Sequence, residues 1–228
     1  MYWQETSHQE PVVVPDDVVD VVYQIACRTL PVDHAWALSQ AVQRLLPWIG
    51  TEPAAGVHTI HVADSGNGWM RPDHADDLLY LSRRTKLVLR VPRQRVDEAQ
   101  TLVGNTLDVA GHAMKIEQAT VRSLGPISTV FARYVVGEEQ GEDENAFLAC
   151  ILAELKALGV QPKKMLCGIE KVLATPERPI RTRSLMIAEL TPPESVTVQQ
   201  RGLGPLRQLG CGLFLPHKDI KELKQALD

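Results

Sequence analysis

The spacing of hydrophobic and polar positions changes several times along the chain, and the changes mark out its elements. Residues 18–27, VVDVVYQIAC, are rich in β-branched side chains and predict a strand. Residues 33–46, DHAWALSQAVQRLL, switch to helical spacing. Ala35, Leu38, Ala41, Val42, Leu45 and Leu46 then share one face, and Asp33 stands where it can cap the start. VHTIHV (57–62) predicts a second strand. LLYLS (78–82) and KLVLRVP (86–92) predict a hairpin whose tip is Arg83-Arg84-Thr85. A second helix is expected over 93–103, and residues 106–121 should fold back through Ala110-Gly111 as a β-hairpin.

The order then repeats. ISTVFARYVV (127–136) reads as a strand, and DENAFLACILAELKALG (143–159) as a helix with Phe147, Ile151, Leu155 and Leu158 on one stripe and Gly159 to end it. MLCGIEKVLA (165–174) and TRSLMIAEL (182–190) read as strands. Pro192-Pro193 opens a short helix, LFLP (213–216) closes as a strand, and DIKELKQALD reads as a terminal amphipathic helix. The expected fold class is α+β: two ferredoxin-like β-α-β-β-α-β halves, at 18–124 and 127–228, after an N-terminal extension at 1–17. This fold hosts many functions, so the side chains must say which.

Charge changes the picture more than composition does. The formal net charge is −4, but residues 1–20 hold five acids and no Lys or Arg. The rest of the chain carries 24 basic residues against 23 acidic ones. They are segregated: residues 138–144, EEQGEDE, hold five acids, while residues 83–95 hold six basic residues and no acid. Further basic stretches run from Lys163 to Arg183 and from Arg201 to Lys224. Such segregation permits a polyanion partner. No apolar run reaches the roughly 20 residues that span a bilayer, and the first residues lack the pattern of a secretory signal. No membrane partner and a cytoplasmic location are therefore expected. Cys27, Cys150, Cys167 and Cys211 form no C-x-x-C pair, so neither a metal site nor a cofactor is expected.

The sharpest local feature is a glycine loop: Gly202-Leu203-Gly204, five residues, then Gly210-Cys211-Gly212. Glycines allow positive φ and close backbone approach, and Arg201 and Arg207 stand beside them. The loop can cradle phosphate, or it can be a simple turn before a strand. It matches neither a Walker loop nor a Rossmann fingerprint.

This glycine–hydrophobic–glycine layout, GLGPLRQLGCG, resembles that of the RAMP superfamily of CRISPR RNA-binding proteins. TLPVDHAWALSQAVQRLLPW (29–48) and LLYLSRRTKLVLRVP (78–92) resemble the myxobacterial-subtype branch of the CRISPR repeat-RNA processing endoribonucleases. The resemblance covers roughly residues 18–216. It implies a tandem ferredoxin-like, metal-independent endoribonuclease without cofactor. Its partner would be a precursor CRISPR RNA repeat, as a hairpin, and subunits of a CRISPR effector complex are further possible partners. The products would carry a 2′,3′-cyclic phosphate and a 5′-hydroxyl.

That chemistry needs a base for the 2′-hydroxyl, an acid for the leaving oxygen and positive charge near the phosphoryl oxygens. Of seven histidines, His34 matches the family's place at the start of the first helix, where the helix terminus favours neutral imidazole. It is the expected general base. His58 is a secondary candidate, as acid or orienting residue, and Tyr23 and Lys86 are further candidates between which the residues do not choose. Arg83, Arg84 and Lys86, together with Arg201, Gly202, Gly204, Arg207, Gly210 and Gly212, are the expected RNA contacts. Trp36 and Trp69 can stack on a base or pack internally. Two rivals stand: a non-catalytic RAMP subunit that only binds CRISPR RNA, and a ferredoxin-like metabolic enzyme with a phosphate loop.

Overall fold

The computed structural model of the chain describes residues 17–62, 74, 77–137 and 143–217. The first half contains β1 (Val18–Ala26), β2 (Thr29–Pro31), α1 (Ala35–Leu45), β3 (Gly56–Val57), β4 (Leu78–Tyr80), β5 (Lys86–Pro92), α2 (Val96–Gln100), β6 (Thr106–Val109) and β7 (His112–Ser123). The second contains β8 (Val130–Val135), α3 (Glu144–Ala157), β9 (Lys164–Leu173), β10 (Ile180–Ala188), α4 (Pro192–Arg201) and β11 (Leu215–Pro216).

Each half builds an antiparallel sheet. The first has the order β3-β5-β1-β7-β6 and the second β11-β8-β10-β9. With β6 set aside as a flanking hairpin strand, both follow the ferredoxin-like arrangement: the first strand sits between the third and the last, and the second lies outside the third. The tandem ferredoxin-like expectation is met. Alternation along β1 sends Val19, Val21, Tyr23 and Ile25 into a core with Leu87, Leu89 and Val91 of β5 and Leu38 and Val42 of α1. The second half packs Phe147, Ile151 and Leu155 of α3 and Val198 of α4 on Val130, Ala132, Leu185 and Ile187. A third cluster spans the halves: Ala35, Val136, Leu173, Ile180, Leu209 and Cys211.

Local chemistry sets the boundaries. Ala110 (φ 52°) and Gly111 (φ 81°) make the two-residue turn of the β6–β7 hairpin. Asp143 caps α3 by accepting the Ala146 amide at 2.8 Å. The prolines at the start of α4 lie inside a capping box made by Thr191 and Glu194.

Four expectations need correction. Residues 78–92 are not a hairpin: β4 pairs with β2, joining buried Leu79 to Leu30, while β5 pairs with β1. The basic tip is instead a turn between two sheets, closed by the Thr85 amide on the Ser82 carbonyl. The strand at 57–62 ends at Val57. The His58 amide still reaches the Val88 carbonyl, but the Ile60 amide is taken by a side chain, which stops the ladder. The helix over 93–103 shrinks to Val96–Gln100 after a 3-10 turn at Arg93–Arg95. Asp33 does not cap α1. The N-cap position belongs to His34, and the Asp33 carboxylate points elsewhere. Trp69, the terminal amphipathic helix, the acidic extension up to residue 16 and most of the 138–144 acidic run lie outside the described residues.

Candidate active site

The β2–α1 connection is short, so His34 is held tightly where α1 begins. Its ring is buried, Nδ1 lies 2.9 Å from the Pro31 carbonyl oxygen, and Nε2 accepts the Ile60 amide at 3.0 Å. An amide can only donate, so Nε2 carries the lone pair and the proton sits on Nδ1, donating to Pro31. Both nitrogens of the ring are therefore engaged in this structure.

His34 lines a cavity of about 280 Å³ between the halves. Val32, Asp33, Ala35 and Thr59 belong to the wall from the first half. Tyr134 of β8 and Ile169, Lys171, Val172 and Leu173 of β9 form the wall from the second. Asp33 ties the two walls together: its Oδ2 accepts the Ala174 amide at 2.6 Å. Burial pushes the Asp33 carboxyl up, partly offset by the Ala174 amide and by His34.

The other expected site residues lie elsewhere. His58 is buried away from this cavity, with Nε2 3.9 Å from Asp20 Oδ1 and without a hydrogen-bond partner. Burial, reinforced by the Arg90 charge, drives its imidazole down to about 3. A histidine so placed is neutral near pH 7 and is not among the residues that line the His34 cavity. Tyr23 is also a core residue: it is fully buried, and its hydroxyl donates to the Ala99 carbonyl at 2.8 Å.

The glycine loop is a joint between the halves rather than an open cradle. Arg207 is buried, and its guanidinium donates to the carbonyls of Ala54, Ala55, Gln200 and Arg201. Gly210 sits against Thr59 and the Val57 carbonyl, and Gly202 and Gly212 are buried beside Leu203 and Arg207. The Gly204 amide donates to Glu154 Oε2 of α3 at 2.8 Å. Of this group only Arg201 is exposed. Trp36 is half-buried against the cluster that spans the halves, so it packs rather than presenting a free stacking face. Arg83 and Arg84 are exposed, and Lys86 is half-buried at the start of β5. Because Pro31 pairs with Leu78 and Thr29 with Tyr80, the chain reaching this basic turn runs away from His34.

The sequence reading missed Asp33, Tyr134 and Lys171 as neighbours in one cavity. Only the basic stretch at 163–183 hinted at Lys171. It also missed the buried Asp20–Arg90 pair, although each interrupts a run of apolar residues, Val18–Val22 and Leu87–Val91. Among the described residues, no group of three His, Cys, Asp or Glu is placed to hold a metal ion. None of the described helices is long and apolar enough to cross a membrane.

Two ferredoxin-like sheets meet at a glycine-rich loop. Three solved structures share this architecture. One is a CRISPR-associated protein Cas6, with a TM-score of 0.63, 9% identity and coverage of 88% of this chain and 100% of that one. The second, a Cas6-related protein from Pyrococcus furiosus, has a TM-score of 0.62 at 10% identity, covering 89% and 99%. The third, described as a RAMP protein binding different RNA substrates, has a TM-score of 0.61 at 12% identity, covering 88% and 100%. A CRISPR-associated endonuclease Cas6 from Myxococcus xanthus is 31% identical over 198 residues, which is 87% of this chain and 81% of the relative. Residues 19–219 match the family model Cas6 Crispr, and the chain belongs to the Cas6 family of CRISPR-associated endonucleases.

Proposed function

We propose that this chain cuts precursor CRISPR RNA within its repeats, without a metal ion, by attack of a 2′-hydroxyl on the adjacent phosphorus. His34 acts as the general base. The observation that carries this reading is its position: a neutral imidazole at the start of α1, oriented through Nδ1–H on Pro31, at the wall of a cavity shared by both halves. Nε2 is the nitrogen with the lone pair, so RNA entering the cavity must displace the Ile60 amide from it. Nε2 then takes the 2′-hydroxyl proton, the 2′-oxygen bonds to phosphorus, and the bond to the 5′-oxygen breaks. Lys171 on the opposite wall supplies positive charge for the phosphoryl oxygens, and Tyr134, which lines the same cavity, gives a proton to the leaving oxygen. The exposed Arg83 and Arg84, with Lys86 and Arg201, contact the repeat hairpin outside the cavity. CRISPR effector subunits would receive the cut RNA.

A second reading is an RNA-binding RAMP subunit that does not cut. One observation favours it: both nitrogens of His34 are bonded inside the protein. Incubating the purified chain with labelled repeat RNA in EDTA separates the two. Cleavage to a 2′,3′-cyclic phosphate and a 5′-hydroxyl supports the enzyme. Tight binding with no cut under EDTA or magnesium supports the subunit, and a cut that requires magnesium overturns the proposed chemistry.

A further inference from the structure

We propose that Asp33 is a positioning residue for His34: its carboxylate stabilises the imidazolium formed when His34 takes the 2′-hydroxyl proton, and its hydrogen bond to Ala174 holds the opposite wall of the cavity in place. This rests on the reading of His34 as the base.

An aspartate just before a helix is ordinarily explained as a cap, and that explanation fails here. The side chain takes no amide of α1. Oδ2 instead accepts the amide of Ala174, the residue that follows β9, across 141 positions of sequence. Oδ1 is buried and has no hydrogen-bond partner. A carboxylate oxygen buried without a donor costs stability, so the fold alone gives no reason to keep it. The cavity does give one. Asp33 adjoins His34 in sequence and lines the same wall.

The charge balance at His34 identifies the missing stabiliser. When Nε2 gains the proton, Nδ1–H still donates to the Pro31 carbonyl, so that bond supplies orientation but no net charge. The other ionisable groups facing the cavity are Lys171 of β9 and Tyr134 of β8, and Thr59 adds a hydroxyl. Lys171 opposes a second positive charge. Asp33 is the negative group among these lining residues, and its attraction to His34 is mutual.

The test is single-turnover cleavage of repeat RNA from about pH 5 to 8.5 by wild type, Asp33→Asn, Asp33→Ala and His34→Ala, with RNA affinity measured in parallel. Asparagine keeps the size and an oxygen for the Ala174 amide, but not the charge. Loss of the carboxylate lowers the basicity of His34. In Asp33→Asn the acidic limb of the rate profile should therefore move to lower pH by on the order of one unit. The plateau rate should fall about ten-fold, and RNA affinity should stay within about two-fold. Asp33→Ala should show the same limb and bind RNA several-fold more weakly, because the β9 wall loses its tether. If the alanine variant does not fold, the limb of Asp33→Asn decides alone. An Asp33→Asn profile that coincides with wild type, while His34→Ala is inactive, overturns the role of Asp33 and leaves the base assignment standing. A His34→Ala variant that cuts with the wild-type profile removes the base assignment and this proposal with it.

Discussion

Arg90 clasps Asp20 in a fully buried pair, with Nε 2.9 Å from Oδ1 and Nη2 3.3 Å from Oδ2. The same guanidinium donates through Nη1 to the carbonyls of Gln199, at 2.9 Å, and Phe214, at 2.8 Å. One side chain of the first sheet therefore satisfies a carboxylate of its own half and two backbone carbonyls of the other. Arg122 adds a bond to Asp20 Oδ2 at 3.1 Å from a more exposed position. Burial would raise the Asp20 carboxyl, but Arg90 and Arg122 hold it below the usual carboxylate range.

Arg90→Met keeps the length of the side chain, leaves the buried Asp20 carboxylate with only the partly exposed Arg122, and strips two carbonyls of their donor. Removing one member of a buried pair costs about 3–5 kcal/mol. Urea unfolding of the variant should show a loss of that size. A change under about 1 kcal/mol would mean that the pair contributes little to holding the halves together.

His58 makes stability depend on pH. Folded, its imidazole resists protonation down to about 3, chiefly through burial and then through the Arg90 charge. Unfolded, it takes a proton near 6.5. A proton that only the unfolded chain binds favours unfolding. Stability is thus complete above about pH 7 and declines as pH falls from about 6.5 towards 3. Between pH 7 and 5 the loss is about 2 kcal/mol, which is insensitive to the folded value because pH 5 lies well above it. The depressed Asp20 carboxyl adds a further loss below about pH 4. Urea unfolding at pH 7 and pH 5 should show this decline in the wild type and a flatter response in His58→Gln. Equal declines would assign the proton to another group.

Two glycines with positive φ should respond differently to alanine. Gly111 (φ 81°) has open space where a Cβ would go, so Gly111→Ala should cost about 1 kcal/mol of backbone strain. At Gly212 (φ 65°) a Cβ would collide with the Leu203 carbonyl inside the joint. Gly212→Ala should cost several times more, by thermal or urea unfolding. Equal costs would mean that the joint yields easily.

The repeated β-α-β-β-α-β order was legible because each strand and helix carries its own period. Strand partners were not, since LLYLS and KLVLRVP read as neighbours until Leu79 chooses Leu30 across β2. The glycine loop was visible, but its role was not. An arginine beside glycines looks the same in sequence whether it faces phosphate or, like Arg207, four carbonyls of its own chain. His34 was singled out through a resemblance, whereas its cavity neighbours Tyr134 and Lys171 lie about 100 or more positions away and meet it only when the halves pack.

RNA affinity gives a prediction for the basic turn. Replacing Arg83, Arg84 and Lys86 with alanine should weaken binding of repeat RNA and flatten its salt dependence, by about 0.7–0.9 in slope for each phosphate no longer neutralised. Filter binding across a salt series measures this. An unchanged slope would place the RNA on other basic residues, with Lys163, Arg178 and Arg181 next in line.

His34→Ala removes both the imidazole and the acceptor for the Ile60 amide. If Nε2 is the base, the single-turnover rate should fall by about 10²–10⁴. Affinity for the repeat should stay near wild type, because one neutral imidazole adds little to a phosphate-dominated interface. The variant also leaves the Ile60 amide buried without an acceptor, which should cost about 1–3 kcal/mol of stability, so the rate must be read at a temperature where the variant is folded. A substrate with a 2′-deoxy residue just 5′ of the scissile phosphate controls for that loss without touching the protein. Wild type should bind it with ordinary affinity and leave it uncut. Cleavage of the deoxy substrate would exclude 2′-hydroxyl attack, and near wild-type cutting by His34→Ala would move the base to another residue of the cavity. If both expected results hold, the Ile60 amide must release Nε2 before each cut. An RNA-induced change in the exchange of that single amide, seen with the uncut deoxy substrate bound, would show the release directly.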